Sequence, residues 1–249
     1  MRACLMKVVA VGILLAGSSW ARAQDDAKAI LDKAVKAHGG AEKLGKVKAQ
    51  QTKAKGSVET PMGLLEFNQE STIQHPDKIK EIVHVNINGM QISITTIYNG
   101  KEGWINVAGQ TMALEGDMLE AIKDTIDTLA LARLAFLGGK DYQVTSLGES
   151  KVGDRPVLGV KVARKGHKDV NMYFDKETNL LAKLEHRVKD PMGGQEMNEE
   201  RIILEYQDVD GMKAGKKVVV NRDGKKYMEA EVTEVKFLDK VDDSNFEKP

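Results

Sequence analysis

DMLEAIKDTIDTLALARLAFL, Asp117 to Leu137, is the longest helical pattern outside the N-terminal leader. Asp117 followed by Glu120 has the spacing of a capping box, in which Asp117 accepts from the first free N–H groups and Glu120 reaches back. Met118, Ile122, Ile126 and Leu129 recur every three or four residues and therefore share one helical face. From Leu129 to Leu137 the only polar residue is Arg133. Gly138-Gly139 then offers the left-handed conformation that a helix C-cap needs. Such a segment would be about 30 Å long at 1.5 Å per residue. On both sides of it the chain reads as strand and tight turn. An apolar helix set between two β-rich halves is expected to lie on a sheet. It would serve as the cover of the core or as a movable lid over an apolar ligand cavity.

The clearest strand pair lies upstream. Asn88-Gly89 is the favoured dipeptide for a two-residue type I′ turn. Folding about it pairs Ile87 with Met90, Val85 with Ile92, Val83 with Ile94 and Ile79 with Tyr98. These residues form one dry face, while Lys80, His84, Asn86, Gln91, Ser93 and Thr95 form a wet one. Before the hairpin come a polar strand, Val47 to Val58, expected at a sheet edge, and Leu64 to His75. Trp104 to Val107 follows it. Beyond the central helix, strands are expected at Tyr142–Leu147, Val157–Ala163, Val170–Phe174, Leu180–Val188, Glu196–Val209, Lys217–Arg222 and Tyr227–Phe237. Asp190 to Gly194 reads as a loop, and Asp210-Gly211 and Asp223-Gly224 as turns. Ten or so strands joined by short hairpins, with an amphipathic helix at Asp25–Ala37 ended by His38-Gly39-Gly40, give an α+β chain built on antiparallel sheet.

Residues 1 to 23 read as a secretory leader: basic Arg2 and Lys7, apolar Val8 to Gly17, and an Ala21-Arg22-Ala23 cleavage site. Leu15-Ala16-Gly17-Ser18 has the shape of a lipoprotein signal with serine where the lipid-bearing cysteine would stand. A soluble exported protein, cleaved after Ala23 and leaving residues 24 to 249 as one domain, is the expectation. The single cysteine, Cys4, leaves with the leader, so a hydrophobic core rather than disulfides must hold the fold. Equal numbers of basic and acidic residues, 37 of each, give no cationic excess for nucleic acid. No later apolar run reaches transmembrane length.

Catalytic patterns are absent from the sequence. There is no Gly-x-Ser-x-Gly elbow or zinc helix, and His38, His75, His84, His167 and His186 are scattered. His38 reads as a helix-end structural residue, His84 as solvated, and His186 as a satisfied, half-buried strand residue. No enzyme activity, cofactor or metal is expected. Methionine is plentiful, Met90, Met112, Met118 and Met172 among others, and suits either core gaps or surfaces that accommodate flexible apolar ligands.

Five segments stand out in order: Ala37-His38-Gly39-Gly40-Ala41-Glu42-Lys43-Leu44, Tyr98-Asn99-Gly100-Lys101-Glu102-Gly103-Trp104, Phe174-Asp175-Lys176-Glu177-Thr178-Asn179-Leu180-Leu181, Tyr206-Gln207-Asp208-Val209-Asp210-Gly211 and Asp242-Asp243-Ser244-Asn245-Phe246-Glu247-Lys248-Pro249. Together they resemble the LolA/LolB-like superfamily of exported bacterial proteins, in particular its outer-membrane lipoprotein-sorting relatives. A departure is Ala214-Gly215, where relatives often carry proline. The resemblance implies an unclosed antiparallel β-barrel, or half-barrel, with helices plugging its open side over an apolar cavity. It implies a periplasmic carrier of lipid or lipoprotein acyl chains, working with lipoprotein-handling proteins of the inner or outer membrane. The alternative is an envelope stress sensor or partner-binding module whose cavity is filled by its own side chains. The cavity lining is expected from Val83, Val85, Met90, Ile92, Ile94 and Trp104 of the sheet. Met118, Ile122, Ile126 and Leu129 would line it from the helix. The lipoprotein carriers of the family keep a particular arginine and an aromatic lining that have no matching positions in this sequence. Arg133, the lone charge of the lid, is the candidate for that arginine's role, and the chain is expected to be a monomer.

Overall fold

The computed structural model describes residues 16–135, 141–190 and 194–249, with side chains from residue 23 onward. The apolar part of the leader therefore lies almost wholly outside the described residues, as do Gly138-Gly139 and most of the loop before residue 194. Helix α1 spans Ala16–Ala37, runs through the expected cleavage position and buries Ala27, Leu31, Ala34 and Val35 on the amphipathic face. A short α2, Ala41–Lys46, follows.

The next six strands form a meander: β1 (Ala49–Thr60), β2 (Gly63–Gln74), β3 (Lys78–Ile87), β4 (Met90–Tyr98), β5 (Gly103–Val107) and β6 (Gln110–Ala113). After α3 (Gly116–Ala132) comes a second meander. It comprises β7 (Tyr142–Val152), β8 (Arg155–Arg164), β9 (Val170–Asp175), β10 (Leu181–Lys189), β11 (Glu196–Val209), β12 (Met212–Arg222) and β13 (Lys225–Leu238). The first and last strands pair antiparallel and join the two halves into one 13-stranded sheet. β6 and β7 are its two free edges. The half-barrel is therefore open, and α3 is the connection from one free edge to the other.

The hairpin register is the one that turn and alternation dictate: Ile87 faces Met90, Val85 faces Ile92, Val83 faces Ile94 and Ile79 faces Tyr98. Asn88 and Gly89 both have positive φ, 52° and 84°, as a type I′ turn requires. Four expectations need correction. The strand expected at an edge is β1, which sits in the middle of the sheet between β2 and β13. Its polar character comes from a solvated outer face and an inner face that carries Gln50 and Thr52. Helix α3 starts at Gly116 behind Glu115, with no side-chain cap, so Asp117 is a first-turn residue and not the cap. It ends at Ala132 rather than Leu137, because Leu134 takes φ +58° and its N–H bonds back to the Leu131 carbonyl. Strand β6 was hidden by its length of four residues.

Core packing divides by sheet face. On the inner face α1, α2 and the end of α3 pack against β8–β12 through Leu31, Leu131, Leu134, Met172 and Leu184. The body of α3 packs on β2–β4, Ile126 against Ile73, Ile79 and Tyr98. On the outer face a C-terminal 3-10 turn, Asp243–Phe246, buries Phe246 in a cluster with Ala49 and Ile97. None of the described helices is long and apolar enough to cross a membrane.

Candidate functional site

The space between α3 and the inner face of the sheet holds two chambers. The first, about 200 Å³, lies under the C-terminal half of α3. Its apolar wall includes Leu129 of the helix and Leu184, Ile203, Val218, Val235 and Phe237 of the sheet. Val218 also borders a wider trough of about 530 Å³ over Gly56, Phe67 and Ala230, none of whose lining residues is helical. The second chamber, about 220 Å³, lies under the N-terminal half of α3 and is polar: Glu81, His186, Glu199, Arg201 and Arg222 face Asp124 of the helix. Arg201 lines both chambers.

The expected lining residues separate on this map. Leu129 and Arg133 stand on the wall of the first chamber, and Ile122 on that of the second. Ile126 is the buried seat of the helix on β2–β4. Val83, Val85, Ile92 and Ile94 occupy the inner face, Val85 directly opposite Phe67, and line neither of the chambers nor the trough. Met90 is 64% exposed beside the hairpin tip, and Met118 is 41% exposed on the helix. Trp104 belongs to the other face, packed with the Phe246 cluster.

Arg133 caps α3 and reaches out of it, donating to the carbonyl of Val47 at 2.5 Å and of Leu44 at 3.3 Å. Burial brings its pKa down to about 10, so it remains charged at neutral pH. His75, on the same chamber, has both ring nitrogens buried and unpartnered. Burial first, and then the Arg133 charge, push its pKa down to about 3. His38 ties α1 to the sheet: Nδ1 lies 2.7 Å from the Ala34 carbonyl, and Nε2 accepts from the Leu181 N–H at 3.4 Å. Its structural reading stands.

Three aspartates hold α3 from the β8–β10 side. Asp124 meets Lys168 at 2.9 Å, Asp127 meets Arg164 at 2.6 Å and also His167, and Asp117 meets Lys189 at 2.6 Å. Apolar contact through Ile126 holds the helix on one half of the sheet; on the other, Leu131 of its last turn packs into the core and the aspartates pair along its body.

The polar chamber is what the sequence reading missed. His186 is not a satisfied, half-buried residue: it is 6% exposed and its Nδ1 has no partner. Burial lowers its pKa, with Glu199 opposing. Glu199 is itself buried and accepts from Arg222 Nε at 3.0 Å. Glu81 accepts from Gln69, and burial raises its pKa against the pull of that bond and of Arg201. A signal existed: Glu81 stands between Ile79 and Val83 on the dry face of the hairpin. Among the described residues no group of three metal-ligating side chains is placed to hold a metal ion.

No protein-family model matches the sequence, and no curated protein does. Solved structures share the fold. A DUF1329 family protein from Desulfovibrio piger is 13% identical, with a TM-score of 0.57 over 89% of this chain and 97% of that one. A protein described as an outer membrane lipoprotein-sorting protein domain, from Vibrio parahaemolyticus, is 10% identical, with a TM-score of 0.55 over 90% and 97%. A LolA superfamily protein from Nitrosomonas europaea is 13% identical, with a TM-score of 0.55 over 89% and 97%. The open sheet with its bridging helix is thus the LolA-like fold.

Proposed function

We propose that this chain is an exported, periplasmic carrier that binds lipid or lipoprotein acyl chains, in the manner of outer-membrane lipoprotein sorting. The observation that carries the reading is the placement of α3, which joins the two free edges of an open sheet and roofs an apolar chamber. Val218 lines both this chamber and the trough that no helix covers, and the entrance would lie there. Each methylene buried there would contribute about 0.8 kcal/mol, offset by the cost of lifting α3. The partners would be acyl chains and the lipoprotein-handling proteins at either membrane that load and unload the carrier.

A second reading has its own support. At about 200 Å³ the apolar chamber is smaller than the roughly 300–1,000 Å³ of ordinary ligand pockets, as a partner-binding module or envelope stress sensor with a self-filled cavity would have it. Substituting Val218→Glu and Leu129→Glu separates the two. In a carrier both variants, folded by circular dichroism, lose retention of a fluorescent acyl-chain probe at least tenfold. Unchanged retention contradicts the carrier reading.

A further inference from the structure

Arg201 stands where the apolar and polar chambers meet, and it is poorly served by the protein. Its Nε is buried without a partner, and its guanidinium donates no hydrogen bond to any described residue. Its nearest ion partner is Glu199 at 3.9 Å, a carboxylate already engaged by Arg222 at 3.0 Å. A guanidinium offers five N–H donors in a planar fork that matches a carboxylate or phosphate in bidentate fashion. The side chain as a whole keeps 26% exposure while Nε is buried, so an entering anion would displace water from the guanidinium and give Nε the partner it lacks. The neighbours do not remove the demand. Gln69 donates to the Glu81 carboxyl, burial disfavours charge on Glu81 and on His186, and Asp124 is bound to Lys168 at 2.9 Å.

We propose that the two chambers together receive a single-headed anionic amphiphile, its carboxylate or phosphate held by Arg201 and its chain lying along Leu184, Ile203 and Val218 in the apolar chamber. The assignment rests on the carrier reading and adds to it a ligand class. An arginine at the junction of a greasy and a polar compartment is the arrangement a head-and-tail ligand needs. A neutral lipid of the same length would gain the chain contacts but leave the guanidinium without a partner, so the site discriminates by charge.

The test is calorimetric titration of the delipidated chain with dodecanoate, dodecyl phosphate and dodecanol. The assignment predicts that at least one anion binds tenfold or more tightly than the alcohol, and the tighter anion identifies the head. Arg201→Gln lowers that anion to the level of the alcohol while the alcohol changes less than twofold, and Arg201→Lys keeps part of the preference. Equal binding of all three ligands overturns the headgroup assignment and leaves the carrier reading standing. Binding of none overturns both. Should Arg201→Gln fail to fold, the anion-to-alcohol ratio of the unaltered protein decides the matter alone.

Discussion

Arg133 shows how one charged side chain fixes the end of a helix. The Leu44 and Val47 carbonyls that it binds lie at the end of α2 and in the lead into β1, so the guanidinium staples the roof to the first half of the fold. Hydrogen bonds to charged groups contribute about 1.5–3 kcal/mol, and Arg133→Ala is expected to lower unfolding stability by that amount in urea titration. Arg133→Lys should recover only part, having no fork. His75 gives a pH dependence with a definite sign. Its folded pKa of about 3 lies below the ordinary 6.5, so between those values the unfolded chain binds a proton that the folded chain refuses. Stability therefore falls as pH drops from about 6.5 toward 3, by up to about 1.4 kcal/mol per pH unit for this group. His38 and His186, also lowered by burial, act in the same direction, while Glu81, raised by burial, opposes them at the acid end. Thermal melts from pH 7.5 to 5 check the trend, and His75→Phe should flatten it. Arg133 could be singled out from sequence because it is alone in an apolar run. Arg201 could not, since its charge sits in a strand already rich in charge, and only the fold reveals that Glu199 and Arg201 point inward.

At the scale of elements, α3 is held by unlike means on its two sides. The aspartates on its charged side are partly exposed, and such pairs are each worth little to global stability, yet together they govern how readily that side lifts. Asp124→Asn with Asp127→Asn should speed hydrogen exchange of α3 amides several-fold and leave those of β10–β12 unchanged. A uniform acceleration across the sheet would mean that the pairs support the whole fold and not the roof. Gly56 of β1 serves the sheet itself. A Cβ there would stand 2.1 Å from the Glu229 carbonyl of β13 and 2.8 Å from the Phe67 ring. Gly56→Ala should destabilise the protein by about 1–3 kcal/mol, as overpacking does, readable as a lower melting temperature. Local elements were legible because their signals are local: Asn88-Gly89 fixes a register through turn geometry alone. The position of β1 was not, because its partner β13 lies at the far end of the chain and no short-range pattern announces it. The Asp117 cap failed for a related reason: Asp117 is held by Lys189 across the mouth of the sheet.

For the whole molecule, the topology sets the mechanics. Two meanders meet at β1–β13 and leave β6 and β7 free, so closure of the half-barrel falls to the helix between them. Antiparallel sheet, apolar bridging helix and open architecture could be read from alternation, turn residues and the order of the resembling segments. The division of the interior could not, because it arises where Glu81 of the first meander approaches Arg201 of the second. The same division gives the carrier reading a definite form: chain toward α2 and β13, head toward Arg201. The most direct measurement is native mass spectrometry of the chain purified without detergent from the cells that make it. The carrier account predicts a discrete added mass that organic extraction releases as lipid and that rebinds to the stripped protein. A bare mass, unchanged after incubation with phospholipid vesicles and acylated peptides, would contradict it.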